Sequence, residues 1–180
     1  MTTASAPARR NGDQPFIIRR IFDAPRERVW RAWTVVDELK QWFGPTGFTM
    51  PTAKLDLRPG GTFHYALRSA DGHEMWGKWV FREVTAPQQI VLINSFSDAN
   101  GGVTSHPLAP TWPKKCLSTT TLSEINGRTT VEIRCTVWNG TAEEHQTFDA
   151  AHDGMTQGWG GTFDQLATYL SKTLSKTTGK

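Results

Sequence analysis

Apolar and polar residues follow one another with two different periods along the chain, and the change of period marks its elements. Residues 16–23 are rich in β-branched and aromatic side chains and predict a first strand. Residues 26–33 carry apolar side chains at helical spacing after Pro25, and residues 38–43 predict a second short helix that ends at Gly44-Pro45. The chain therefore opens with a strand followed by two short helices.

The segment from residue 49 to 138 has the pattern of an antiparallel meander. Strand-like runs are separated there by Gly, Pro, Asn and Asp. Asp71-Gly72 predicts a hairpin between residues 62–69 and 74–84, and Asn126-Gly127 predicts another between 116–124 and 129–138, because both dipeptides tolerate the positive φ of tight turns.

A two-residue loop fixes which side chains share a face in each hairpin. At Asn126-Gly127 it sets Ser118 opposite Cys135, so that Cys116 and Cys135 are diagonal neighbours on an apolar face and are predicted to be free, buried thiols. At Asp71-Gly72 both faces are mixed, and the face favoured as inward is the following set: Phe63, Tyr65, Leu67, Trp76, Lys78 and Val80.

Residues 97–115 contain Gly101-Gly102 and three prolines and predict an irregular connection, which is either a lid or a surface insertion. A helix is then predicted to start at Thr141, since Thr141 and Glu144 have the spacing of a capping box. Its apolar stripe continues almost to the C-terminus and consists of Phe148, His152, Met155, Trp159, Phe163, Leu166 and Leu170. Four glycines between residues 154 and 161 predict a bend or a close approach to the sheet.

Composition adds limits on the class of protein. The chain has 180 residues, of which 37% are hydrophobic and 21% charged, and its net charge is +3. This predicts one globular domain over residues 16–171, a disordered leader over 1–15 and a polar basic tail over 172–180. There is no apolar run that could span a membrane and no clustered basic face for nucleic acid. Two cysteines suit a reducing cytoplasm.

The sequence offers little recognisable chemistry. None of the five histidines pairs with Cys, Asp or Glu at a metal-binding spacing, so no metal is predicted. There is no phosphate loop and no nucleophile elbow, so neither a cofactor nor a catalytic residue is predicted. An acid-base enzyme that uses His152 with Tyr65 or Asp153 leaves no sequence mark, and it stays as an alternative.

Several local motifs together resemble a known family, and they extend from about residue 16 to residue 171. The motifs are Arg20-Ile21-Phe22-Asp23-Ala24-Pro25, Trp42-Phe43-Gly44-Pro45, Pro59-Gly60-Gly61-Thr62-Phe63, Arg82-Glu83-Val84, Asn94-Ser95-Phe96 and Gly158-Trp159. They are similar to those of bacterial SRPBCC (START-like) proteins of the activator of heat shock protein 90 ATPase homologue-like family. The eukaryotic co-chaperone carries an additional N-terminal domain, which 15 leader residues cannot encode, so its activity is not carried over.

The resemblance implies an α+β helix-grip fold. In this fold a curved antiparallel sheet of about six or seven strands wraps around a long C-terminal helix, with two short helices after strand 1. It also implies a cavity that binds a hydrophobic or aromatic small molecule. A cyclase- or hydrolase-type enzyme and a chaperone-interacting module are the alternatives, and both a monomer and a homodimer are open.

The chain has eight Trp, nine Phe and two Tyr, which can line such a cavity as readily as they fill a core. The residues expected to bind the ligand are Trp42, Phe43, Tyr65, Trp76, Phe96, Ile133, Cys135, His152, Met155 and Trp159. Trp42 and Phe43 form either a cavity wall or part of the core. His152 is either a core residue or a hydrogen-bond donor to the ligand.

Overall fold

Eight strands and four helices follow one another in the computed structural model of the protein, which describes residues 14–177. The predicted leader and the end of the predicted tail fall largely outside these residues. The elements are β1 Phe16–Phe22, α1 Arg26–Thr34, α2 Val36–Trp42, β2 Thr49–Leu55, β3 Thr62–Arg68, β4 Glu74–Thr85, β5 Gln89–Ser97, β6 Val103–Thr104, β7 Cys116–Ile125, β8 Arg128–Val137, α3 Ala142–Ala150 and α4 His152–Thr177.

The strands form one antiparallel sheet in the order β1-β8-β7-β5-β4-β3-β2, and the two-residue β6 pairs with β5. Helix α4 packs its stripe against one face of this sheet through Phe163, Leu166 and Leu170, all buried in the main core. The two short helices follow β1, as predicted. The helix-grip fold is therefore confirmed.

The β7–β8 hairpin has the predicted register. Asn126 and Gly127 have φ values of 52° and 74°, so they form the two-residue loop that the sequence indicates. Ser118 lies opposite Cys135 and Cys116 opposite Val137. Both cysteines are buried and free.

The predicted register of the β3–β4 hairpin is wrong by one residue. The loop has five residues, because Ser69 accepts from the Gly72 N–H and donates its own N–H to His73 O. Tyr65 consequently lies opposite Gly77 instead of Lys78. Since side chains alternate along a strand, this shift moves every side chain of β4 to the face of the sheet opposite to the predicted one. The inward set is Phe63, Tyr65, Leu67, Met75, Trp79 and Phe81, and the side chains of Trp76, Lys78 and Val80 lie on the outer face.

The C-terminal segment begins with the predicted capping box, in which Thr141 and Glu144 each accept from the other's backbone N–H. It is not one continuous helix, since α3 ends at Ala150 and α4 begins at His152. The break lies before the glycine cluster. Of the four glycines, Gly161 has a neighbour that an added Cβ would contact, Thr46 Oγ1 at 3.7 Å.

None of the helices in the described part of the chain is long and apolar enough to cross a membrane. Within residues 14–177 there is also no cluster of three or more His, Cys, Asp or Glu side chains that could hold a metal ion.

Candidate functional site

A cavity of about 320 Å³ lies between the inward face of the sheet and the C-terminal helices. Strands β3, β4, β5, β7 and β8 supply one side, and α3 and α4 supply the other. The α2–β2 junction and the end of the 97–115 connection complete the wall. None of the 22 described residues that line it is Asp, Glu, Lys, Arg or His.

Phe43 is the centre of an aromatic cluster at one end of the cavity. Its ring lies 5.4 Å from the Tyr65 ring, 5.2 Å from Trp79 and 6.3 Å from Trp159, with the planes close to perpendicular for the first two. Edge-to-face pairs of this kind hold aromatic rings in fixed orientations. The cluster therefore forms a preorganised wall.

Tyr65 lies across the neighbouring strand because the residue opposite it has no side chain. A Cβ placed on Gly77 would overlap the Tyr65 Cζ and hydroxyl oxygen. Burial raises the pKa of Tyr65, and the nearby Trp79 indole N–H partly opposes this rise. The phenol is therefore protonated throughout the physiological pH range.

The opposite end of the cavity is formed by the cysteine pair and its neighbours. Cys116 lies opposite Asn94 of β5, and Ser118 lies opposite Cys135 of β8. A hydrogen bond to Cys135, together with burial, raises the pKa of the Cys116 thiol. Both thiols line the cavity, and Cys116 is protonated at neutral pH.

The end of the 97–115 connection covers the cavity at α3. Trp112 and Pro113 line it, and the Trp112 ring lies 5.8 Å from Phe148 of α3. The segment is attached by the Thr147 hydroxyl, which donates to Thr111 Oγ1 at 2.9 Å, and by Glu144 Oε1, which accepts from the Lys114 N–H at 3.2 Å. The connection thus forms part of the wall in this structure.

Helix α4 is tied to the α2–β2 junction by a shared acceptor. The carbonyl oxygen of Gly44 accepts from the Thr162 hydroxyl at 3.2 Å and from the Gln165 amide at 2.6 Å. Gly44 has a φ of 121°, a conformation that favours glycine. These contacts fix the helix beside the aromatic cluster.

The structure brings most of the predicted ligand-binding residues to the cavity. Those that border it are Phe43, Tyr65, Trp76, Phe96, Ile133, Cys135, Met155 and Trp159. Trp76 is one of them although its side chain lies on the outer face of the sheet. Its ring stacks there on the His64 ring, with the two ring centroids 5.0 Å apart. Trp42 and His152 are not among the lining residues.

Trp42 lies in the packed core instead, and His152 is a partly buried residue that packs against aromatic rings. Trp42 is 1% exposed, donates its indole N–H to Ala32 O at 3.0 Å and packs against Trp33. The His152 ring lies 5.7 Å from Phe16 and 5.2 Å from Phe148. Its Nε2 is buried without a hydrogen-bond partner among the described residues. Phe148 itself lines the cavity.

Fourteen of the 22 described lining residues were not among the predicted ones, and those with a polar or indole group that could contact a ligand are Asn94, Ser95, Trp112, Ser118 and Thr162. Ser118 could have been found, because the β7–β8 register already sets it opposite Cys135 on the apolar face. Trp112 lies in an irregular segment and Thr162 lies beside the helical stripe, so no periodicity indicates either of them.

The curved sheet, the long helix and the cavity between them define a helix-grip protein of the SRPBCC type. The chain belongs to the Activator of Hsp90 ATPase homolog 1-like protein family, whose family model matches residues 23–171. No curated protein matches the chain.

Solved bacterial structures share the fold. A protein from Nitrosomonas europaea is 22% identical, with a TM-score of 0.71 over 89% of this chain and 96% of its own. One from Arthrobacter aurescens is 28% identical, with the same TM-score over 88% of this chain and 86% of its own. The AHSA1 protein of Silicibacter pomeroyi is 16% identical, with a TM-score of 0.67 over 89% of this chain and 99% of its own.

Proposed function

We propose that this protein binds an uncharged, hydrophobic or aromatic small molecule in the cavity between sheet and helix. The observation that carries the proposal is the cavity of about 320 Å³, whose described lining is rich in aromatic side chains and contains no Asp, Glu, Lys, Arg or His. Its volume falls at the lower end of the range of ligand sites, about 300–1,000 Å³.

The cavity is partly open to solvent, so it holds water when no ligand is bound, and an apolar ligand gains free energy by releasing that water. The hydroxyl groups of Tyr65, Ser118 and Thr162 and the amide of Asn94 give water or a ligand polar partners.

The lining supports an uncharged ligand. A carboxylate or an ammonium group inside this cavity would lose part of its hydration without meeting an opposite charge, which is unfavourable. A neutral molecule avoids this penalty. The acid-base alternative is less well supported, because its named groups His152 and Asp153 are not among the lining residues.

An interaction with a chaperone is a second candidate, and the family description is what favours it. Isothermal titration of purified chaperone with this protein tests that candidate directly. Heat from a saturable complex is expected if it holds, and the absence of heat at tens of micromolar contradicts it. The two free cysteines suit a reducing compartment such as the cytoplasm for either function.

The binding proposal is tested with the neutral fluorescent probe N-phenyl-1-naphthylamine and with mass spectrometry of molecules that copurify. Ser118→Phe fills the cavity, whereas Thr119→Phe adds the same side chain to the outer face of the same strand. Wild type and Thr119→Phe are expected to bind the probe, and Ser118→Phe is expected to lose it while keeping a cooperative thermal transition.

Equal probe binding by the three proteins would contradict the proposal. If Ser118→Phe does not fold, Met155→Trp fills the cavity from the helix side, because Met155 also lines it. The same loss of probe fluorescence is expected for that variant.

A further inference from the structure

We propose that the ligand is a neutral aromatic carbonyl compound and that the Tyr65 hydroxyl selects it by donating a hydrogen bond to the carbonyl oxygen. This inference rests on the proposed function and specifies its ligand. The close approach of Tyr65 to Gly77 and the lining of the cavity, which lacks Asp, Glu, Lys, Arg and His, carry it.

Gly77 determines the position of the phenol. Tyr65 and Gly77 are direct cross-strand partners, and both line the cavity. The phenol end of Tyr65 occupies the space above Gly77 that any other residue would fill with its Cβ. The hydroxyl end of Tyr65 therefore lies over the backbone of β4 at Gly77.

The direction of the hydrogen bond follows from the protonation of the phenol. Burial raises the pKa of Tyr65, so its hydroxyl keeps a hydrogen that it can donate to an acceptor on the ligand. A carbonyl oxygen on the ligand is a suitable acceptor, since it carries no charge and fits the neutral lining.

The surrounding rings favour an aromatic body for the ligand. Phe43 lies edge-on to Tyr65 at 5.4 Å, and Phe63 stacks on the other side of it at 4.7 Å. The Tyr65 ring is thereby held in one orientation. A flat ligand can then extend from this hydroxyl toward Trp159 and Phe148, which line the helix side.

The test compares two probes of nearly the same shape, 2-acetonaphthone and 2-isopropenylnaphthalene, in which a carbonyl oxygen is replaced by a CH₂ group. Their affinities are measured by tryptophan fluorescence quenching. Wild type is expected to prefer the ketone by roughly three- to tenfold, the effect of one neutral hydrogen bond. Tyr65→Phe keeps the ring and is expected to bind both probes equally.

Two further variants make the result specific. Tyr169→Phe removes the chain's other phenol, which lies on α4 beside Arg28, and it is expected to keep the preference. Gly77→Ala keeps the Tyr65 hydroxyl but forces it to move, and it is expected to lose the preference. Tyr65→Phe and Gly77→Ala should each abolish the preference for the ketone by removing the same hydrogen bond. Their double variant should therefore lose no more of the preference than either single variant.

The outcomes separate this inference from the proposed function. If both probes bind and Tyr65→Phe keeps the wild-type ratio, or wild type shows no preference, the selection by Tyr65 is wrong while cavity binding stands. If neither probe binds to wild type, both proposals are overturned.

Discussion

Glu38 is a half-buried carboxylate shared by two arginines of the preceding helix. Arg28 Nη1 and Arg31 Nε each donate to one of its oxygens at 2.6 Å. Burial raises the pKa of Glu38, but the hydrogen bonds from Arg31 and Arg28 lower it by more, so that it falls below its usual 4.5. The charged form is therefore the one that stabilises the packing of α1 on α2.

Glu38→Gln should lower the free energy of unfolding by about 1–3 kcal/mol at neutral pH, because it weakens charge-assisted hydrogen bonds. A carboxylate with a lowered folded pKa stabilises the protein above its unfolded pKa and stops doing so as the pH falls through the folded pKa. The difference between wild type and variant in urea titrations should therefore shrink as the pH falls from the usual 4.5 and vanish once it is below the lowered folded pKa.

The neighbouring residue provides a control for this variant. Asp37 is 87% exposed, and its interaction with Lys40 at 3.8 Å is a surface pair. Asp37→Asn is expected to change stability little at any pH. A gap between wild type and Glu38→Gln that persists in acid would contradict the role of the charge.

The cysteines provide a second prediction for single residues. Cys116 and Cys135 are buried, and the raised pKa of Cys116 keeps its thiolate population low. Native protein should therefore react slowly with 5,5′-dithiobis(2-nitrobenzoate) near pH 8, and both thiols should react at once in guanidinium chloride. Rapid labelling of the native protein would show that the cavity exposes the thiols to the reagent.

At the scale of elements, the capping box of α3 also holds the wall segment of the cavity. Glu144 Oε2 accepts from the Thr141 N–H at 2.8 Å, and Glu144 Oε1 accepts from the Lys114 N–H at 3.2 Å. The start of α3 and the segment that carries Trp112 are thus joined through one side chain.

Thr141→Ala removes the hydroxyl that caps the helix and should lower stability by about 1 kcal/mol, whereas Thr141→Ser should have little effect. Hydrogen exchange should also become faster at the Lys114 amide in the alanine variant. Unchanged exchange there would mean that the wall segment is held independently of the cap.

The two hairpins show which parts of the fold a sequence can predict. Asn126-Gly127 makes a two-residue loop, so the strand pairing and the inward faces of β7 and β8 followed correctly from it. Asp71-Gly72 is the same kind of signal, but hydrogen bonds between Ser69 and His73 enclose it in a longer loop. Loop length depends on these local bonds, and a change of one residue reverses the faces of a strand.

The candidate site was predictable to the extent that single elements determine it. Met155 and Trp159, which the stripe of the last helix placed among the site candidates, line the cavity. The stripe also included His152, which does not line the cavity. Helical spacing shows which side chains share a face of the helix, but it does not show whether that face meets a cavity or other side chains. Here Phe16 and Phe148 pack against the His152 ring, and these contacts depend on how the sheet curves around the helix.

At the scale of the whole molecule, a ligand in the cavity should stabilise the fold. Binding to the folded state alone raises the free energy of unfolding by about 2.7 kcal/mol at a ligand concentration of about 100 times Kd. The melting temperature should rise with added N-phenyl-1-naphthylamine for wild type and for Thr119→Phe. It should stay constant for Ser118→Phe, and a rise in that variant would indicate binding outside the cavity.

The absence of Asp, Glu, Lys, Arg and His from the described lining has a consequence for the conditions under which the protein works. A neutral ligand in this cavity has no Coulombic attraction for dissolved ions to screen. Its affinity should therefore not fall as sodium chloride is added, whereas the affinity of a receptor that depends on ion pairs would.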